Sequence, residues 1–286
     1  MDHFESPATT APPLSSPEAA RLLDELHALN EQLLGADLRP SAETNAVFGR
    51  LVELCISAEQ EVAGDVLAHP DAPALLDSLR RLSAEGETLL EEHWAGALAE
   101  ADDAWTVLNH FPYLGNYRDL VRLERAAAAA GGVDDLGTVA FLGAGPLPLT
   151  GLVLAHEHGV RVVNVDRDEN ACALAAAATE ALGLSDRVST VQADAAEAAR
   201  REDVAGADVV ALAALVGADH AEKRPVLDAL AARLHRRTRL LLRTAHRMRT
   251  ALYPAISADE LHGFRPLLEL HPHNEVVNSV LVAQPG

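Results

Sequence analysis

The sequence predicts an α/β fold whose first part is all-α and whose second part alternates strands with helices. Three observations carry that prediction. Leucines recur at helical spacing through the first part, and no strand-like alternation occurs before residue 130. From Gly137 onward, short apolar runs alternate with helical stretches, the pattern of successive βα units. At the head of that second part, Val139 to Asp168 reads VAFLGAGPLPLTGLVLAHEHGVRVVNVDRD. That is a strand, a glycine turn, a helix, a second strand and an acid.

Residues 1–17 are rich in Pro, Ser and Thr and are expected to be a loose tail; with Asp2 and no apolar stretch they do not resemble a secretory signal. Leu22, Leu23, Leu26, Leu29, Leu33 and Leu34 then mark a helix over 17–36, closed by Arg39-Pro40-Ser41. Ser41 starts another helix, with Val47, Phe48, Leu51, Val52, Leu54 and Cys55 on one face. Pro70 and Pro73 break the chain again, and helical segments are expected at 74–82 and 83–101. Ala126 to Ala130 followed by Gly131-Gly132 reads as a helix end and a linker.

Strands are then expected near 138–142, 160–166, 187–191, 207–213 and 238–243, with helices at 150–158, 169–182, 219–234 and 246–253. Two extended runs, 265–271 and 276–283, have no helix between them and read as a terminal hairpin. Five β/α units with such a hairpin have the layout of a Rossmann-like class I S-adenosylmethionine-dependent methyltransferase domain, whose ligand lies along the carboxyl ends of the strands. The expected division is a tail at 1–17, a helical lid and substrate domain at 18–132, and the Rossmann-like domain at 133–286.

Composition narrows the function. A formal net charge of −20 argues against nucleic acid and anionic membranes as partners, since both need a basic face. The apolar runs are broken by charges well short of a membrane span. Cys55 and Cys172 are too far apart for a metal motif, and reduced thiols are consistent with a cytoplasmic protein. No metal site is expected. The sequence leaves the oligomeric state open, a homodimer included.

Four groups of residues carry chemistry. Gly143 and Gly145 let the backbone approach a ligand, although Leu147 and Pro148 stand where the later glycine of a dinucleotide fingerprint would fall. Asp166 closes the second strand about 20 residues on, where a ribose-binding carboxylate is expected. Asp194 follows the third strand, placed to face an adenine amino group. Together the acids favour S-adenosylmethionine over a nicotinamide dinucleotide, whereas either alone also reads as a strand-end cap. The residues expected to hold the cofactor are Gly143, Ala144, Gly145, Pro146, Asp166, Arg167, Asp194, Ala195, Ala213 and Leu215, the last two from the small-residue run Ala213 to Gly217.

The other groups lie apart in sequence. The chain has Trp 2, Tyr 3 and Phe 5, yet Trp94, Trp105, Phe111, Tyr113 and Tyr117 crowd into 94–117. Glu87 and Glu91 stand one helical turn apart upstream of them. If buried, two such carboxylates repel, and one acquires a raised pKa suited to accepting a proton; otherwise they belong to a solvated acidic face. Arg243, His246, Arg247 and Arg249 cluster after the fifth strand, either to grip a carboxylate or as surface charges at a helix start.

The chain resembles nicotianamine synthases and their bacterial relatives that make opine-type metallophores. The resemblance rests on FLGAGPLPLT (141–150), VDRD (165–168), LAALVG (212–217), LRTAHRMRTALYP (242–254) and HPHNEVVNSVLVA (271–283). It extends to ADLRPSAETNAVFGRLVELC (36–55), AEGETLLEEHWA (84–95) and FPYLGNYRDL (111–120). The resemblance implies attack by an amine on the γ-carbon of the methionine moiety, moving a 3-amino-3-carboxypropyl group and releasing methylthioadenosine. It implies catalytic roles for Glu87 and Tyr113, with Glu91 and Tyr117 as second partners. Asn116, Arg243 and His246 complete the expected substrate contacts. Small-molecule substrates are the implied partners, with any metal bound by the product. Leu114-Gly115 and the alanine-rich segment before the glycine turn depart from plant members and leave the acceptor open. Cyclisation of S-adenosylmethionine to azetidine-2-carboxylate, N-methylation and a non-catalytic ligand-binding module are the competing readings.

Overall fold

A computed structural model describes residue 14 and residues 16–217 and 220–286. Residues 1–13 and 15 of the expected tail lie outside the described residues. The first helix, α1 (Pro17–Leu34), starts where Ser16 Oγ accepts the Ala19 amide at 3.1 Å and Pro17 presets the first turn. It buries Leu22, Leu23, Leu26, Leu29 and Leu33. The same cap chemistry starts α2 (Ala42–Ser57), where Ser41 accepts from Thr44. Then come α3 (Gln60–Leu67) and α4 (Ala72–Ala99). The two segments expected at 74–82 and 83–101 are one helix of 28 residues, because Ser83-Ala84 carries no breaker. Its length matters. It begins in the helical layer and packs along the helix at 169–181 of the second part, so Glu87 and Glu91 sit at the passage between the two parts.

α5 (Ala104–Leu108) and α6 (Leu114–Ala130) complete the helical part. The polypeptide then alternates β1 (Thr138–Leu142), α7 (Leu149–His158), β2 (Arg161–Asp166), α8 (Glu169–Ala181) and β3 (Val188–Gln192). Two short helices, α9 (Ala195–Ala198) and α10 (Glu202–Ala205), precede β4 (Val209–Leu212), α11 (His220–Ala231) and β5 (Arg239–Thr244). The expected hairpin is present as β6 (Phe264–Leu270) and β7 (Ser279–Pro285). The sheet has seven strands in the order β3-β2-β1-β4-β5-β7-β6. β1 to β5 run parallel, and β7 inserts antiparallel between β5 and β6. The order reverses between β1 and β4, which opens a crevice at their carboxyl ends.

One expected element changes character. The helix at 246–253 is a single 3-10 turn, Arg247–Ala251, entered with Arg247 at φ 53°. That turn drives Met248, Ala251 and Leu252 into the apolar cluster formed by α1 to α4. Packing crosses the helical–sheet boundary elsewhere as well. One cluster joins Leu98, Phe111 and Val121 to Phe141, Leu152 and Val282, and a buried ion pair links Arg243 Nε on β5 to Glu124 Oε1 on α6 at 2.6 Å. Among the described residues no helix is long and apolar enough to cross a membrane.

Candidate active site

The crevice at the reversal point holds a cavity of about 680 Å³. One end is built from contiguous backbone. Gly143 at φ 81° and Gly145 at φ 68° make the turn after β1, a conformation that costs other L-residues steric energy. Space forbids a side chain as well: a Cβ on Gly143 would stand 2.2 Å from Val216 Cγ2, and one on Gly145 2.6 Å from Glu91 Oε2. The turn is tied to β2, since Gly143 and Ala144 amides donate to the Val165 carbonyl and Gly145 N–H donates to Asp166 Oδ2 at 2.9 Å. Asp166 Oδ1 also accepts from Asp168 N–H at 3.0 Å. Asp194 caps α9 through the Ala196 amide. All ten residues expected to hold the cofactor, from Gly143 to Leu215, border this cavity.

The opposite end is assembled from distant segments. Glu87, Glu91, Tyr117, Tyr253 and Asn278 border the large cavity and also a second chamber of about 150 Å³. They form the wall between the two. Tyr253 OH donates to Glu87 Oε2 at 2.9 Å, and Tyr117 OH lies 3.4 Å from both Glu87 Oε1 and Glu91 Oε1. Burial pushes the Glu87 pKa up, opposed by the Tyr253 hydrogen bond and the Arg243 charge. Glu91 is pushed well above the carboxylate range by burial and by the neighbouring Glu87 charge. Burial together with the carboxylates raises Tyr117 and Tyr253 well above a free phenol, so both hydroxyls keep their protons. Of the two readings left open for this acidic pair, the geometry favours enclosure: Glu91 is buried and Glu87 half-buried.

Tyr113 and Asn116 border the second chamber only. Tyr113 is raised by burial and then by the Glu87 charge, but the phenols within hydrogen-bond distance of Glu87 are those of Tyr117 and Tyr253. Asn116 Nδ2 is engaged by the Glu275 carbonyl at 2.8 Å. Trp94 and Trp105 leave the aromatic patch for packing: Trp94 meets Phe111 edge-on, and Trp105 Nε1 donates to the Leu182 carbonyl.

The basic cluster does not assemble at the cavity. Arg243 borders it, but Nε is held by Glu124, Nη2 donates to Thr150 Oγ1 at 2.6 Å, and the guanidinium lies over the Phe141 ring. His246, expected to touch substrate, borders neither chamber and stacks on His271 with ring centroids 4.0 Å apart. Arg247 donates to Gln60 and Arg249 to the Asn274 carbonyl. The 3-10 turn rotates these three side chains away and uses them in packing.

With that geometry in view, the comparisons with known proteins are decisive. The sequence model described as "Nicotianamine synthase protein" matches residues 17–285. The chain belongs to the nicotianamine synthase family. Nicotianamine synthase 2 of Oryza sativa subsp. japonica is 38% identical over 279 residues, covering 93% of this chain and 83% of that protein. Nicotianamine synthase of Solanum lycopersicum is 33% identical over 275 residues, covering 94% and 84%. Among solved structures, MtNAS in complex with MTA and tNA superposes with a TM-score of 0.79 at 26% identity, covering 94% of this chain and 97% of that one. A mutant of MtNAS in complex with S-adenosylmethionine gives 0.80 at 26% identity, covering 92% and 97%.

Within this nicotianamine synthase family member, Tyr253 and Asn278 are the wall residues that sequence reasoning did not single out. One signal for Tyr253 was available. The chain contains three tyrosines, and all three border the second chamber. Asn278 left no comparable trace beyond its place in the family-like segment VVNSV.

Proposed function

We propose that this protein transfers the 3-amino-3-carboxypropyl group of S-adenosylmethionine to an amine, forming nicotianamine and releasing methylthioadenosine. The observation that carries the reading is the half-buried Glu87 carboxylate, hydrogen-bonded by two phenols in a wall shared by a nucleotide-sized cavity and a smaller chamber. The glycine turn, Asp166, Asp194 and the 213–217 run hold the nucleoside end. The sulfonium's alkyl chain then runs toward Glu87, and the amine approaches from the second chamber. Its lone pair forms the new N–C bond at the γ-carbon while the C–S bond breaks. The bonding pair stays on sulfur, which becomes the neutral thioether of methylthioadenosine.

The new ammonium must lose a proton before it can serve again as a nucleophile. Glu87 takes it: hydrogen bonds from Tyr253 and Tyr117 favour its ionised form. Glu91, raised further by the Glu87 charge, holds its proton and keeps the pair from carrying two charges at once. Tyr113 lines the acceptor's path and orients it. Much of the acceleration comes from alignment of the amine with one of three activated carbons. The second chamber favours this intermolecular reaction over cyclisation to azetidine-2-carboxylate, which needs no acceptor space.

Incubation of the purified protein with S-adenosylmethionine alone, followed by mass spectrometry, tests the reading. Methylthioadenosine together with nicotianamine is expected. S-adenosylhomocysteine as the main nucleoside product overturns it, and methylthioadenosine with azetidine-2-carboxylate alone replaces transfer by cyclisation.

A further inference from the structure

The aminocarboxypropyl group carries an α-carboxylate, and a carboxylate withdrawn from water needs donors to meet it. Among the described residues, no lysine or arginine lines the second chamber. Three of its neutral donors are committed, Asn116 to a carbonyl and Tyr117 and Tyr253 to carboxylates. Two buried polar atoms of residues bordering it have no partner, Asn278 Nδ2 and Ser83 Oγ. Native proteins seldom leave a buried amide unpaired, and an exception at a cavity wall points to a ligand.

Asn278 is the more telling of the two. It is 6% exposed and borders both cavities, whereas Ser83 borders only the smaller. It is also rigidly placed. The next residue, Ser279, opens β7, pairs with Thr244 of β5, and its Oγ is 2.9 Å from His271 Nδ1. A neutral donor suits this position. A cation beside Glu87 would pair with it and hold the base in a salt bridge, whereas an amide can bind a carboxylate and leave Glu87 free.

Building on the proposed transfer reaction, we infer that Asn278 is a carboxylate anchor at the junction of the two chambers. Its Nδ2 donates to the α-carboxylate of an aminocarboxypropyl group, and Ser83 Oγ supplies a second donor on the acceptor side. The carboxylate belongs either to S-adenosylmethionine or to the acceptor, and the two sources separate in one experiment.

The experiment measures calorimetric affinities of S-adenosylmethionine and methylthioadenosine for the native chain, Asn278→Ala and Asn278→Asp, with product distributions in parallel. Methylthioadenosine lacks the aminocarboxypropyl group, so it reports the nucleoside site and the integrity of the fold. If the anchored carboxylate is the donor's, S-adenosylmethionine binds about 10- to 100-fold more weakly in Asn278→Ala, the range for a hydrogen bond to a charged group. It binds more weakly still in Asn278→Asp, and methylthioadenosine affinity holds. If it is the acceptor's, both affinities hold and products shorter than nicotianamine accumulate. Unchanged affinities with an unchanged product distribution overturn the inference. Equal weakening of both ligands in both variants also overturns it, because that marks a purely structural role. Failure of the transfer reaction itself would instead show in the native chain's products, whereas the ratio of the two affinities is read without turnover.

Discussion

The two ends of the large cavity are built on opposite plans. At the nucleoside end, 143–147 and 213–217 present backbone and small side chains, Asp166 ends β2 and Asp194 lies two residues past β3. Each part is fixed by its immediate neighbours in sequence. At the transfer end, five side chains from α4, α6, the segment after the 3-10 turn and the residue before β7 meet across more than 190 positions of chain. In the proposed reaction the nucleoside end binds through partly accessible carboxylates and main chain. The transfer end encloses two carboxylates and two phenols, which in that reaction handle the proton. Adenosine recognition can thus rest on a local motif, whereas proton transfer at the γ-carbon needs long-range assembly.

Separating these roles by mutation gives the largest expected effect. Glu87→Gln keeps the shape and can still accept from Tyr253, but it cannot take a proton. Turnover should fall about 10²- to 10⁴-fold, the usual worth of a positioned base, while methylthioadenosine binding at the far end stays native. Steady-state release of methylthioadenosine and calorimetric binding measure the two sides. A turnover loss of less than tenfold would move the base to another group, with Tyr113 next in line.

The same contrast explains what could be read from the sequence. The glycine turn, the acid after β2 and the strand alternation are local, so spacing located them, and the hairpin followed from the absence of a helix between 271 and 276. Glu87 and Glu91 were legible as a pair because helical periodicity puts residues four apart on one face. Their enclosure was not, since it depends on α4 continuing unbroken past Ser83 to pack on α8. Arg243 to Arg249 misled for a related reason. Charge clustering in sequence implied a patch, but a 3-10 turn with Arg247 at φ 53° splays those side chains apart. Tyr253 is brought to Glu87 across 166 residues of separation, and only the scarcity of tyrosine hints at it.

A smaller effect should come from the phenol. Tyr253→Phe removes the 2.9 Å hydrogen bond that holds the Glu87 pKa down, so that pKa should rise. The ionised base is the active form, and the acid limb of the kcat profile should therefore move to higher pH. Loss of one hydrogen bond to a charged group predicts a decrease of about tenfold or more at neutral pH, diminishing as pH is raised. Tyr117→Phe should act in the same direction and less strongly, because its hydroxyl is shared between Glu87 and Glu91 at 3.4 Å. A pH-independent loss in Tyr253→Phe would assign the hydroxyl to substrate positioning instead.

The mildest perturbation reads stability rather than rate. Glu91 has a folded-state pKa raised well above its ordinary value by burial and then by Glu87. Between the unfolded and the raised folded pKa, the folded chain binds more protons than the unfolded one, so stability falls as pH rises through that window. Glu91→Gln removes the titration while its amide oxygen can still accept from Tyr117. The variant should therefore melt above the native protein at pH 8, and the gap should narrow toward pH 5 and close only below the ordinary carboxyl value of 4.5, where native Glu91 is protonated in both states. Paired thermal melts of native and Glu91→Gln at pH 5 and pH 8 measure it. A gap between native and Glu91→Gln that stays the same at both pH values would remove Glu91 from the enclosed proton-handling end.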